Sequence, residues 1–255
     1  MKESFPKKEP LHHDQHFLID KEVLSASLKA AELKKVDVVL EIGPGKGILT
    51  AELAKKCQKV IAIEIDESLK DKLSCLPKNV EIIFGNALEL MEDQPFNKLV
   101  ANIPYAISEP LFKKLLKMKF DLAVLLVGES FYLLLEEISK WSVIGRLFFD
   151  ISKVMDVSRN CFDPKPRVDS VLMKIEPRKK ELTDKEKILK ELVLQEDKKL
   201  KNALMFSIMR VKNLTKKQAK EIIDKILFPK ELWNKRVTHL SNVQFRLFYE
   251  KMGAI

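Results

Sequence analysis

The chain has 255 residues at 29.5 kDa, with 46% hydrophobic and 33% charged residues and a formal net charge of +9. Seven Gly, 11 Pro and three Cys exclude collagen-like, mucin-like and disulfide-scaffold classes, and the interleaving of charged with apolar residues argues against wholesale disorder. No apolar run approaches the roughly 18–20 residues of a membrane span, and the N-terminal MKESFPKKEPLHHDQHFL lacks the apolar core of a signal peptide; a soluble cytoplasmic protein without a membrane partner is expected.

His12, His13 and His16 cluster near the N-terminus without carboxylates at ligand spacing, and His239 is isolated, so no metal site is expected. Cys57, Cys75 and Cys161 form no CxxC pair and read as reduced structural thiols. The first expected strand is VDVVLEI (36–42), which runs into Glu41-Ile42-Gly43-Pro44-Gly45-Lys46-Gly47. Three of the seven glycines fall there, between a strand and a helix-like stretch at 48–56. Glycine lets the backbone turn tightly and approach a ligand with no Cβ in the way. No GK[ST] follows, so the loop is not a P-loop, and its alternate glycines differ from GxGxxG.

The second strand, KVIAIEI (59–65), ends in Glu64-Ile65-Asp66. In nucleoside-binding α/β folds a carboxylate here accepts hydrogen bonds from both ribose hydroxyls. An adenosine-containing cofactor is therefore expected, with NAD and S-adenosylmethionine both open at this point. A helix-like stretch at 68–76 leads to the third strand, VEIIF (80–84), followed by Gly85-Asn86-Ala87-Leu88. The fourth strand, KLVAN (98–102), runs into Asn102-Ile103-Pro104-Tyr105 at the carboxyl end of a parallel strand, where ligands of open sheets bind. Methylation of an exocyclic amine needs acceptors that hold the amino group and aim its lone pair at a methyl sulfonium. The Asn102 side-chain oxygen and the Ile103 carbonyl supply such acceptors, and Tyr105 offers a ring for the base, worth ~1–3 kcal/mol by stacking. This element favours S-adenosylmethionine.

After a helical stretch at 109–119 and a fifth strand, DLAVLLV (121–127), two strand-like segments, 151–157 and 170–175, follow with no convincing helix between them and are expected to pair at a sheet edge. Periodicity thus indicates a doubly wound α/β domain over residues 1–178. Beyond Pro177 the character changes. RKKELTDKEK (178–187) is a charged joint in which Thr183 and Glu186 form a capping-box pattern. KILKELVLQ, NALMFSIMRV, KKQAKEIIDKIL and NVQFRLFYEKM all have helical spacing, so residues 179–255 are expected to form a small all-α domain. From Arg178 onward there are 20 Lys+Arg against 10 Asp+Glu, whereas the preceding 177 residues carry 26 against 27. The positive charge is concentrated in the tail, which points to a polyanionic partner there.

Five segments in order resemble the rRNA adenine N6,N6-dimethyltransferases: Gln15-His16-Phe17-Leu18, Glu41–Gly47, Glu64-Ile65-Asp66, Asn102–Tyr105 with Ile107-Ser108, and Phe162-Asp163-Pro164-Lys165-Pro166-Arg167-Val168-Asp169-Ser170, which matches FxPxPxVxS. Leu200-Lys201-Asn202-Ala203-Leu204 and Lys235-Arg236-Val237-Thr238-His239-Leu240-Ser241 extend the likeness through the tail and favour the small-subunit branch over the macrolide-resistance branch. The resemblance implies a class I methyltransferase fold, with a Rossmann-like, mostly parallel seven-stranded sheet and a helical RNA-docking domain. It implies S-adenosylmethionine-dependent N6,N6-dimethylation of adenines in small-subunit rRNA during ribosome biogenesis, by a monomer acting on the RNA or the pre-ribosomal subunit. It also implies roles: His16 and Leu18 close over the cofactor, Gly43, Gly45 and Glu64 hold it, and Asn102 lies between it and the target. Phe162 stacks on the adenine face opposite Tyr105, on a loop stiffened by Pro164 and Pro166.

The chain also departs from the family pattern. Asn86 stands where an aspartate usually accepts from the cofactor's adenine amine, and Asp14 replaces a glycine. Gly128-Glu129-Ser130-Phe131 replaces a Q-x-E-type element, Trp141–Leu147 a glycine-containing YGRLS-like segment, and Glu196-Asp197-Lys198 a strongly basic stretch; Glu136 and Glu137 read as a solvated face. These departures motivate two alternatives: a catalytically weak or inactive rRNA-binding assembly factor of the same fold, and a resistance-type large-subunit methylase.

Overall fold

Buried β-branched runs set the architecture. In the computed structural model, which describes residues 15–136, 140–195 and 197–254, the strands are β1 (Phe17–Leu18), β2 (Val38–Ile42), β3 (Lys59–Glu64), β4 (Val80–Phe84), β5 (Lys98–Asn102), β6 (Leu122–Gly128), β7 (Phe149–Val157), β8 (Phe162–Asp163) and β9 (Ser170–Pro177). Seven of them form one sheet in the order β4-β3-β2-β5-β6-β9-β7. The pairs β2–β3, β2–β5, β3–β4 and β5–β6 are parallel, and β9 runs antiparallel to β6. The two consecutive strand-like segments of the sequence therefore lie side by side at one edge. The order reverses direction between β2 and β5, and the carboxyl ends of these two strands flank the switch point where open α/β sheets bind ligands.

His12, His13, Asp14, Glu137 and Glu196 lie outside the described residues. The chain resolves into two compact units, Met1–Glu129 with Ser152–Ile175, and Ser130–Ile151 with Glu176–Ile255. The second boundary falls near the expected joint at 178/179, but residues 130–151 group with the helical tail rather than with the sheet.

In the first unit α1 (Lys21–Ala30), α2 (Ile48–Ala54), α3 (Lys70–Leu73), α4 (Ala87–Leu90) and α5 (Ser108–Leu115) connect the strands. Asp20 caps α1 by accepting from the Glu22 and Val23 N–H groups. Val39, Val60, Ala62, Val100, Val124 and Leu126 form the buried centre of the sheet, with Val23, Leu49, Leu53 and Phe162 packed on it. Each Val, Leu or Phe side chain among them contributes about 1.5–3 kcal/mol on burial.

In the second unit α6 (Glu129–Glu136) and α7 (Lys140–Phe148) precede α8 (Asp184–Val193), α9 (Leu200–Lys212), α10 (Lys216–Asp224) and α11 (Asn242–Lys251). The apolar face of α7, with Trp141, Ile144, Leu147 and Phe148 buried, meets α8 and α11, which is why 130–151 belong here. Thr183 and Glu186 form the expected capping box, and Thr215–Gln218 and Ser241–Gln244 repeat it at α10 and α11. Phe228, Trp233 and Phe248 pack edge-on, with centroids 5.2 to 6.3 Å apart. No helix among the described residues is long and apolar enough to cross a membrane.

Candidate active site

A cavity of about 530 Å³ opens at the carboxyl ends of β2, β3 and β5, within the usual range of small-molecule sites. His16, Leu18, Gly43, Gly45, Glu64, Asn86, Asn102, Ile103, Pro104 and Tyr105 all line it. Of the residues expected to touch cofactor or target base, Phe162 alone is not in this lining.

The glycine loop makes one wall. Gly43, Gly45 and Gly47 have φ of +68°, +56° and +79°, a region that L side chains rarely adopt. At Gly45 sterics add to the requirement: a Cβ there would lie 2.9 Å from the Phe17 ring. The Lys46 ammonium sits over the same Phe17 ring, 4.5 Å from its centroid. The loop thus grips β1 and holds it across the cavity.

Glu64, 4% exposed, is fixed before any ligand arrives. One carboxylate oxygen accepts the Gly45 N–H and the other the Asp66 N–H, each at 3.0 Å. Each oxygen keeps acceptor capacity for a further hydroxyl. Asp66 in turn accepts from the Gln15 side chain at 2.9 Å. Between them Ile65 is 56% exposed, an apolar surface turned to the cavity.

Asn102, the last residue of β5, donates from Nδ2 to the His16 carbonyl at 3.0 Å. Its amide nitrogen is therefore directed at the residue just before β1, and its oxygen is the group left for accepting. His16 is itself anchored, because its Nδ1–H donates to the Pro164 carbonyl at 2.8 Å. Tyr105 rests its ring on the Gly128 backbone, where a Cβ would approach to 3.3 Å, and its hydroxyl is 2.5 Å from Ser170 Oγ. The His16 and Tyr105 rings lie 6.1 Å apart at 32°.

The FxPxPxVxS element places its first residue in the core and not on the cavity wall. Phe162 is 1% exposed and belongs to the core cluster with Val23, Leu126 and Leu172. It pairs with Leu18 in the antiparallel β1–β8 register, with its ring in the core rather than at the cavity. Burial of an aromatic ring is a large gain that exposure at the cavity would forfeit. The element instead supplies the Pro164 carbonyl to His16 and Ser170 to Tyr105.

Asn86 is exposed and caps α4, its oxygen accepting the Leu88 N–H at 3.0 Å and its nitrogen donating to Glu89 at 2.8 Å. Glu41 is the residue that sequence reasoning passed over as part of the loop. It is 1% exposed on the cavity wall, with Oε2 unpartnered. Burial, together with the nearby Glu64, pushes its carboxyl up to about 8. The available signal was a carboxylate within a strand otherwise apolar on both faces. Among the described residues no group of three or more His, Cys, Asp and Glu is placed to hold a metal ion.

The profile of the family described as ribosomal RNA adenine dimethylase matches residues 8–242. A probable ribosomal RNA small subunit methyltransferase A of Pyrococcus abyssi is 40% identical over 237 residues, covering 89% of this chain and 86% of that protein. A protein of the same description from Methanococcus maripaludis is 35% identical over 253 residues, covering 91% and 96%. Among solved structures, a dimethyladenosine transferase from Plasmodium falciparum superposes with a TM-score of 0.64 at 27% identity, covering 93% of this chain and 98% of that one. A 23S rRNA methyltransferase, ErmE, does so with a TM-score of 0.60 at 25% identity, covering 92% and 99%.

Proposed function

The chain belongs to the ribosomal RNA adenine dimethylase family, and from this premise we propose that it transfers two methyl groups from S-adenosylmethionine to N6 of adenines in small-subunit rRNA. The observation that carries the reading is the Asn102–His16 hydrogen bond, which commits the amide nitrogen and leaves an oxygen acceptor at the mouth of a nucleoside-sized cavity. The small-subunit relatives that cover nearly the whole chain support the choice of target over a large-subunit one.

The residues present suit the cofactor. Glu64 has acceptor capacity for two ribose hydroxyls, Ile65 gives an apolar surface for a base, and the Asn86 oxygen retains a lone pair for an amine. The positive-φ glycines bring bare backbone to the ligand, and His16 with Leu18 of β1 covers it. When bound, S-adenosylmethionine supplies a methyl group already activated by its sulfonium. The protein's task is then alignment. Asn102 Oδ1 and the Ile103 carbonyl accept the two hydrogens of the target amine and aim its lone pair, while Tyr105, braced by Gly128 and Ser170, stacks on the base. No side chain acts as a nucleophile. Phe162, buried behind Leu18, positions β1 rather than touching the base. The second unit, which holds the surplus of Lys and Arg, docks folded RNA through phosphate and shape contacts, with one copy of the chain acting on each subunit in the cytoplasm.

Labelled methyl transfer to unmodified small subunits, read by nucleoside mass spectrometry, tests this reading. N6,N6-dimethyladenosine is expected with the wild type, and Asn102→Ala is expected to lower the rate ~10²–10³-fold, the usual cost of removing one such acceptor or donor. Subunit binding without label above the Asn102→Ala background would identify a non-methylating assembly factor. Label confined to large subunits would identify a resistance-type enzyme.

A further inference from the structure

Glu41 lies one residue before the end of β2, in the wall shared by Gly43, Gly45 and Glu64. It is 1% exposed, its Oε2 has no hydrogen-bond partner, and neither does the buried Thr50 Oγ1 beside it. Thr50 is close enough to ease the burial of the carboxyl without giving it a hydrogen bond of normal geometry. An ionised carboxylate in that position is costly, and Glu64, the charged group facing it from β3, adds to the cost. Of the other charged or titratable groups lining the cavity, Glu67 is exposed to solvent and the remaining three are engaged elsewhere. Lys46 covers the Phe17 ring, Asp66 accepts from Gln15 and Ser68, and His16 is tied to Pro164. At neutral pH, then, Glu41 holds a proton that no role assigned above uses.

The cofactor proposed for this cavity is cationic at two places, its sulfonium and its α-ammonium. A cation brought next to a buried carboxyl in a water-poor wall favours the ionised form strongly. We infer that Glu41 is a latent counter-ion: a neutral acid in the free protein that gives up its proton when the cationic cofactor enters, so that one proton leaves for each S-adenosylmethionine bound. The carboxyl O–H bond breaks, its electron pair stays on the carboxylate, and the proton passes to the buffer. Glu41 thereby selects for charge. A cationic ligand gains an ion pair with it, and a neutral nucleoside gains nothing. The inference rests on the S-adenosylmethionine reading of the cavity.

Titration calorimetry of the full chain with S-adenosylmethionine, in pairs of buffers that differ in ionisation heat, tests it. Between pH 6 and 7.5 the cofactor amine stays mostly protonated, since α-amines titrate near ~7.7–8.0. About one proton released per cofactor is expected there, with the dissociation constant tightening roughly tenfold per pH unit, as linkage to one ionisation requires. Glu41→Gln is expected to bind with no proton release and a flat pH profile. Adenosine should release none, and S-adenosylhomocysteine, which keeps the ammonium but lacks the sulfonium, assigns the cation responsible. Tight S-adenosylmethionine binding with no buffer dependence, or equal proton release from Glu41→Gln, would overturn the inference. Failure of every adenosyl compound to bind would instead overturn the cofactor reading beneath it.

Discussion

The two ends of strands β2 and β5 carry similar residue types and have opposite characters. At the amino ends, Asp37 and Lys98 form an ion pair at 3.3 Å with both side chains almost fully buried. The Lys98 ammonium also donates to the Ala31 and Glu32 carbonyls. Asn97 donates to Asp37 and Asp121 and accepts from the Val38 N–H. Burial works against the Asp37 carboxylate, but Asn97, the Lys34 N–H and Lys98 outweigh it and hold the group below the usual carboxylate range. Near their carboxyl ends the same strands carry Glu41, one residue before the end of β2, and Asn102, the last residue of β5. There Glu41 Oε2 is unpartnered and its carboxyl is pushed the other way, up to about 8. One end spends its polar groups on each other, and the other leaves them for a ligand. Polar residues in a sheet therefore reveal a site by what they leave unmet, rather than by being polar.

The comparison breaks most readily at the closed end. Lys98→Ala leaves Asp37 buried without its cation and two carbonyls without their donor. It is expected to cost about 3–5 kcal/mol, a fall of roughly 10 °C in Tm at 2–4 °C per kcal/mol for a chain of this size. Scanning calorimetry measures that fall, while cofactor affinity of the folded protein should stay within about twofold. An affinity loss as large as the stability loss would show that the two ends are not separable. Gly45→Ala should behave in the reverse sense. Positive φ and the clash with Phe17 together cost about 1–3 kcal/mol, expressed as at least a tenfold loss of cofactor affinity with a smaller drop in Tm than Lys98→Ala. The smallest effect is expected for Asn86→Asp. A charged acceptor should tighten cofactor binding by up to about tenfold. Thermal stability should not rise, because the new carboxylate faces Glu89, which now accepts from the Asn86 amide.

Much of this site was legible along the chain. The glycine loop, Glu64 and the Asn102–Tyr105 turn are each local devices, in which a strand end is followed at once by the residue that acts, so spacing alone placed them on one edge. The strands were legible for the same reason: β4 and β5 match the expected spans 80–84 and 98–102. The direction of the Phe162 ring is not legible in spacing, because it depends on a partner 144 positions away, Leu18, through the β1–β8 register. The grouping of α7 with the tail is likewise not legible in chain position, because its apolar face finds partners in helices that follow Pro177.

The parallel sheet, its ligand edge, the cofactor class and the position of the Asn102–Tyr105 turn on that edge are all readable along the chain, because they follow from residue type and short-range spacing. Which way Asn102 presents its amide is fixed only in three dimensions, by the His16 carbonyl arriving from the other side of the cavity. Only the tertiary structure made Glu41 a proton holder. Its environment is built by Thr50 and Glu64 on neighbouring elements, and a carboxyl's affinity for its proton depends on the water and charge around it, which no single strand contains.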